Sequence, residues 1–387
     1  MIKSVIAVNE NTPRGQKTTG VILEYERPVR ADSVSAASYR VKGRNILRAE
    51  AKENAVHLSL NPDDKKAMTR KMVGFGPDTK TKVTGANIAV RQAKAVYTAD
   101  GEKVPGSWKC QKAEREISPI VDDFAQGSFT DSKGNVLHYN LYVPKGVADE
   151  KLPLVVFLHD SSVCSETVTA PLLQGMGALV WASPEEQRKR RCVVLAPQYP
   201  VKTAFDDFTT TWHADATAEL IRHLCENSIM DEARVYGTGQ SMGTMMLCDL
   251  NIRYPDLFTA CYLVAGQWDP EKMAALTDAD LWILVSEKDE KAWPTMNSAM
   301  EKLEAKGVKI ARGHLDAKAD AQAKQRFAEN VLAQNGRIQM TWYEGESDLP
   351  AGMKPFPGCW HLCTWLWAYD VEPIREWMFT KKKGEKL

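Results

Sequence analysis

The stretch Arg234-Val235-Tyr236-Gly237-Thr238-Gly239-Gln240-Ser241-Met242-Gly243 restricts the fold of this chain more than any other segment. It reads as a short apolar strand, then a turn with a glycine two residues either side of a serine, then a helical run to residue 254. Such a turn is tight and lifts the serine hydroxyl clear of the sheet. A Cβ at Gly239 or Gly243 is expected to collide with the neighbouring strand or helix. Ser241 opens the helix, so the Met242 N–H has no partner within it and can face a developing negative charge. A phosphate-binding reading fits less well. In Gly237-x-Gly239 the third glycine of a G-x-G-x-x-G loop falls one residue late, at Gly243, with Met242 in its place, and no P-loop lysine follows.

The turn needs a parallel sheet beneath it, and the sequence from residue 124 onward supplies one. Residues 152–158 form a continuous apolar run, as in a strand buried on both faces. Strand and helix signals then alternate. We expect helices at 170–181, 214–226, 242–254 and 295–305, and a last helix running to residue 379. Strands are expected at 136–143, 192–197, 234–238, 259–265, 281–286 and 338–343. Repeated strand-helix-strand units of this kind build a parallel sheet with helices on both faces. Residues 314–335 look helical, polar and Ala-rich, suiting either a surface helix or part of a cap.

Residues 3–106 follow a different grammar. Val21, Leu23 and Tyr25 alternate with polar residues, as do Val56, Leu58 and Leu60, and Ile88 and Val90. Turn residues such as Asn61-Pro62-Asp63-Asp64 separate these runs, which is how a small antiparallel sandwich reads. The chain therefore divides into a β-sandwich over 1–112 and an α/β domain over 113–387. With 387 residues it is long for one domain and comfortable for two.

Charge divides the same way. Residues 1–115 hold 22 Lys and Arg against 12 Asp and Glu, and residues 116–387 hold 28 against 38, giving +10 and −10. The basic residues of the first part are scattered among acids, without the dense run or aromatic interleaving of a nucleic-acid site, so no nucleic-acid partner is expected. No apolar run reaches 18 residues, so no membrane span is expected. The N-terminus lacks the features of a signal peptide, which leaves the compartment open between the cytoplasm and an exported mature form. Homo-oligomerisation is also left open. The eight cysteines lack C-x-x-C spacing and the density of a disulfide scaffold. Cys359 and Cys363 flank His361 without a second ligand pair, so neither metal nor cofactor is expected.

A serine hydroxyl is a poor nucleophile at neutral pH and needs a base in contact with it and an anion to orient that base. Both come from loops beyond the carboxyl ends of the strands, and where the nucleophile sits on a strand-turn-helix of this kind the chain order is nucleophile, acid, histidine. Downstream of Ser241 stand His314 and His361. His361 falls in a glycine-containing loop between the last strand and the final helix, and is the candidate base; His314 falls in the polar helical stretch. Asp289, directly after the strand at 281–286, is the candidate acid, with Glu287, Glu290 and Asp269 as competitors. The second oxyanion donor is expected from His159-Asp160-Ser161-Ser162, where Ser161 N–H is preferred and Asp160 and Ser162 are alternates. Asp160 stands where Gly is common, and can adopt the left-handed backbone that Gly favours. His159 is expected to be buried and structural. Gln198, Trp212, Gln267 and Trp268 lie at strand ends or loops on the site's side and are candidate substrate-lining residues. Trp360 and Trp365 are expected in the core of the closing helix.

These segments carry a resemblance. The tract 152–160, Ala196-Pro197-Gln198, Arg234 through Gly243, Ser286 to Asp289, and His361-Leu362-Cys363-Thr364-Trp365 through Trp377 resemble the esterase branch of the α/β-hydrolase superfamily. The first region, with Gly20 to Tyr25, Pro28-Val29 and Ser33 to Val41, resembles the immunoglobulin-like N-terminal domain of bacterial carboxylesterases. The resemblance implies hydrolysis of short-chain or plant-wall acetyl or feruloyl esters, on small molecules or oligosaccharides, through an acyl-enzyme on Ser241. The sequence departs from the common pattern at Asp160 and at Thr244, which replaces a second glycine. The same triad also suits a serine peptidase. A surface- or glycan-binding protein with an inactive hydrolase domain is the reading from another class.

Overall fold

The computed structural model describes residues 1–74, 79–147, 150–227 and 229–384. The chain forms two compact units, one of residues 1–73 and 81–123, the other of residues 74–80 and 124–387.

The first unit is all-β. Its main sheet holds Arg115–Ile117, Ile2–Thr12, Gly15–Tyr25, Ala55–Leu60 and Ile46–Lys52 in spatial order, and a second sheet holds Gln111–Lys112, Ala89–Gln92 and Tyr39–Val41. The alternation seen in the sequence has its expected consequence. Val21, Leu23, Tyr25, Val56, Leu58, Ile88 and Val90 all join one buried cluster. The expected boundary at residue 112 moves to 123, because Arg115–Ile117 adds in parallel to the first strand of the chain. Three residues are too short a run to announce a strand by alternation.

The second unit is built on a nine-stranded sheet. In spatial order its strands are Phe124–Thr130, Val136–Tyr142, Val193–Gln198, Leu152–Leu158, Met230–Gln240, Ala260–Val264, Leu281–Ser286, Ile338–Tyr343 and Ile310–Leu315. The first two pairings are antiparallel and the rest parallel. Every residue of Leu152–Leu158 is buried, and each large apolar side chain taken from water in this way contributes about 1.5–3 kcal/mol. Helices His213–Asn227, Met242–Arg253, Ala292–Ala305, Ala321–Leu332, Cys359–Ala368 and Glu372–Phe379 accompany the sheet.

Two sequence expectations change here. The helix expected at 170–181 is a 3-10 turn, Ala170–Leu173, and a single helical turn, Leu179–Ala182. Between them a Cβ on Gly177 would lie 2.2 Å from the Phe157 ring, so close approach to the sheet takes precedence over helix continuity. The polar stretch from residue 314 starts in an edge strand, Ile310–Leu315, of which only Ala311 and Leu315 are buried, too few to mark a strand by pattern. Its helix, Ala321–Leu332, buries Phe327, Ala328 and Val331 and packs on that strand and on Glu372–Phe379, as an ordinary surface helix.

Candidate active site

The strand Met230–Gln240 ends in the turn that carries Ser241, and the helix Met242–Arg253 begins one residue later. Ser241 has φ 52° and ψ −116°. A non-glycine residue held there stores on the order of 1–3 kcal/mol of backbone strain. The glycines on either side are dictated by contact. A Cβ on Gly243 would lie 1.9 Å from the Leu158 carbonyl oxygen, and one on Gly239 would lie 2.8 Å from it.

Thr244, the departure from the common pattern, is absorbed by two features. Its hydroxyl accepts from Val264 N–H at 3.0 Å and lies 2.8 Å from the carbonyls of both Gly239 and Val264, which share its single proton. Gly266 leaves room for it, since a Cβ there would lie 2.4 Å from Thr244 Cβ. The turn is thereby tied to the adjacent strand.

Ser241 Oγ lies 2.8 Å from His361 Nε2, and His361 Nδ1 lies 2.6 Å from Asp289 Oδ2. Since the carboxylate accepts at Nδ1, Nε2 of the neutral ring is free to take the serine proton. His361 sits in the first turn of Cys359–Ala368 rather than in the loop before the final helix. Gly358, at φ 77°, ends that loop one residue before the helix begins. Asp289 is fixed by its other oxygen, which accepts from the backbone N–H groups of Lys291 at 3.0 Å and Ala292 at 2.9 Å. Burial alone would push this carboxyl up. The hydrogen bond and charge of His361, with the two backbone donors, outweigh it and hold the group below its ordinary value.

The competing residues are engaged elsewhere. Glu287 accepts from Gly345 N–H at 2.6 Å, and Asp269 caps the short helix Pro270–Met273. Glu290 is exposed at the cleft edge. His314 faces Glu344 at 2.7 Å on the edge strand. His159 is fully buried; its Nδ1 donates to the Asp160 carbonyl and its Nε2 accepts from Tyr199 N–H, and burial holds its pKa below the ordinary value.

Met242 and Ser161 line one cleft with Ser241, Asp289 and His361. Among the described residues, no hydrogen-bond acceptor takes the N–H of either Met242 or Ser161. Ser162 N–H is committed to Asp160 Oδ1 at 2.8 Å. Asp160 does not use the left-handed backbone expected of it. At φ −75° and ψ 166° it is extended and caps the turn Ser161–Val163 with its side chain. A side chain that can cap the following turn replaces the conformational freedom of glycine.

The cleft encloses about 1130 Å³. Of the four candidate lining residues only Gln267 faces it, and it donates to Asp206 Oδ1 at 3.1 Å. Trp268 is fully buried against Phe208, so it is a core residue. Gln198 is also buried, and its amide donates to the carbonyls of Val163, Ser165 and Tyr199, holding the loop instead of touching the cleft. Trp212 stacks on His213 with ring centroids 3.8 Å apart, outside the cleft. Trp360, expected in the core, is half-buried in the cleft wall, while half-buried Trp365 sets its ring edge-on to His361. Sequence reasoning missed Lys202, Phe205, Lys288, Lys291, Phe356 and Leu362, all of which line the cleft. They belong to no spaced motif, and only the fold brings them together.

Among the described residues, no group of three or more His, Cys, Asp or Glu is placed to hold a metal ion, and no helix is long and apolar enough to cross a membrane. As an arrangement of groups, the site can move a proton from a hydroxyl to an imidazole backed by a carboxylate, next to two free backbone donors.

Fold and family together define an α/β hydrolase of the esterase class with an immunoglobulin-like N-terminal domain. The family described as esterase PHB depolymerase matches residues 137–347, and the esterase Ig-like N-terminal domain matches residues 4–105. The chain belongs to the esterase PHB depolymerase family, and it is a hydrolase. A crystal structure of a thermostable esterase is similar over 99% of this chain and 100% of that one, at 25% identity and a TM-score of 0.81. An acetyl xylan esterase from Aspergillus awamori is similar over 47% of this chain and 80% of that one, at 17% identity and a TM-score of 0.37. A feruloyl esterase module from Clostridium thermocellum, in complex with sinapinate, is similar over 65% and 86%, at 11% identity and a TM-score of 0.42. No curated protein matches the chain.

Proposed function

We propose that this esterase is a serine carboxylesterase acting through an acyl-enzyme, with Ser241 as nucleophile, His361 as base and Asp289 as the acid that orients it. The observation that carries this reading is the continuous line from Ser241 Oγ through His361 to Asp289, at 2.8 and 2.6 Å.

His361 Nε2 takes the hydroxyl proton as Ser241 Oγ bonds to the ester carbonyl carbon, and Asp289 stabilises the imidazolium that results. Negative charge on the former carbonyl oxygen is met by the N–H groups of Met242 and Ser161. His361 then delivers the proton to the leaving alcohol as the ester C–O bond breaks. Water, deprotonated by the same ring, attacks the acyl-enzyme and releases the acid. The substrates are short-chain carboxylic esters or acetyl and feruloyl esters of the plant-wall type, small enough for the cleft between Phe205, Phe356 and Trp360.

The test is labelling with a fluorophosphonate, followed by peptide mapping, on the native protein and on Ser241→Ala, His361→Ala and Asp289→Asn. Label on Ser241 that disappears without His361 and weakens in Asp289→Asn is the expected result. Label on another serine, or none on folded protein, would remove the serine mechanism.

A further inference from the structure

Three lysines line the cleft: Lys202, Lys288 and Lys291. Lys288 pairs with Glu346 at 2.8 Å and Lys291 with Asp206 at 2.6 Å. Lys202 differs from both. It is half-buried where they are exposed, and among the described residues no carboxylate lies within 4 Å of its ammonium. The acids that share the cleft are engaged or outlying. Asp289 holds His361, Asp206 is held by Lys291 and Gln267, and Glu290 is exposed.

The backbone beside Lys202 is pinned to the helix that starts at Ser241. Thr203 N–H donates to Met242 Sδ at 3.3 Å, and its hydroxyl donates to Met246 Sδ at 2.6 Å. The cleft that Lys202 lines also presents the apolar side chains of Ala204, Met242 and Met245. A half-buried lysine that lines such a cleft without a counter-ion is open to pairing with an incoming anion. Thr203, next in the chain to Lys202, is thus held against Met242, one of the two candidate oxyanion donors, whereas the leaving alcohol must lie toward His361, from which it receives its proton.

We propose that Lys202 forms an anion subsite in the cleft, and that among the short-chain esters this protein hydrolyses it prefers those that carry a carboxylate in the acyl part. The proposal rests on the serine esterase reading for its reaction, and on Lys202 alone for its specificity. An acyl carboxylate pairs with the ammonium while the scissile carbonyl sits between Ser241 Oγ and the N–H groups of Met242 and Ser161. A neutral acyl chain of equal length leaves the lysine without a partner and binds more weakly.

The experiment compares 4-nitrophenyl half-esters of succinic, glutaric and adipic acid with neutral 4-nitrophenyl esters of matched chain length. The readout is the ratio of kcat/KM for charged over neutral ester. In the native protein one half-ester is expected to exceed its neutral partner, with the advantage shrinking as salt is added. In Lys202→Met the ratio should fall about tenfold, and Lys202→Arg should restore most of it. A ratio unchanged in Lys202→Met, whether both rates fall together or neither falls, overturns the proposal. If Ser241 does not label and no ester is cleaved, it is the esterase mechanism that fails. Calorimetric titration with glutarate then still decides the subsite: binding lost in Lys202→Met supports it, and no binding to the native protein overturns it.

Discussion

Gln240 Nε2 donates to Asp160 Oδ2 at 2.9 Å, with both side chains buried, so the residue before Ser241 holds the loop that presents Ser161. The other Asp160 oxygen caps the turn Ser161–Val163. One carboxylate therefore ties the two candidate oxyanion donors, Met242 and Ser161, to a common strut. Asp160→Ala is expected to lower kcat by roughly ten- to a hundredfold, with KM moving much less, because the misplaced donor is needed chiefly in the transition state. Gln240→Ala should act similarly, and the double variant should lose less than the product of the two effects. Steady-state kinetics beside a thermal melt checks this. Equal changes in kcat for variants whose melting temperature alone accounts for the loss would make the pair merely structural.

Two buried carboxylates near the site respond to pH in opposite directions. Burial pushes Asp348 up to about 6, reinforced by the Asp289 charge, while the Ser286 hydroxyl and the Lys318 ammonium work the other way; the Tyr343 phenol also faces it. A carboxyl raised above its ordinary value of 3.8 suits the fold when neutral. Its contribution is fully present below about pH 4 and is lost as pH rises through about 6, at a cost of about 3 kcal/mol once ionised. Asp289 is held low instead, so its contribution is present above about pH 4 and is lost as pH falls through its folded value. Asp348→Asn should accordingly unfold at higher denaturant than the native protein at pH 8 and at similar denaturant at pH 4. Denaturation midpoints across that range decide the matter, and parallel curves would refute it.

Glu186, 2% exposed, joins two parts of the second unit that are distant in sequence. From helix Pro184–Lys189 it accepts from Arg190 at 2.5 and 3.0 Å and from Arg375, on Glu372–Phe379, at 3.1 Å. Arg375 is itself buried. Glu186→Gln leaves that guanidinium without its counter-charge and should destabilise the unit by about 3–5 kcal/mol. Arg375→Met in the same background should recover part of the loss. A urea titration of the four proteins of this cycle gives the coupling, and simple additivity would show that the two residues do not act as a pair.

Much of this protein was legible in its sequence, for reasons of short range. The spacing of Gly239, Ser241 and Gly243 specifies a turn whose steric demands act over a few residues, and period-two alternation marks the strands of the first unit. Unbroken apolar runs mark the buried strands of the second. Those signals also place Ser241 on its turn, with the candidate acids at the end of the strand 281–286 and His361 beyond the last strand. What they leave open is settled by contacts between segments far apart in the chain. Asp289, rather than Glu287 or Glu290, reaches the imidazole because its other oxygen is locked by the N–H groups of Lys291 and Ala292. Trp268 and Gln198, expected at the cleft, end buried, whereas Trp360, expected in the core, lines the cleft. Only the tertiary structure decided that Lys202 shares a cleft with Ser241. No local pattern encodes that proximity, because it arises from the order in which the parallel strands assemble and the loops their ends then bring together.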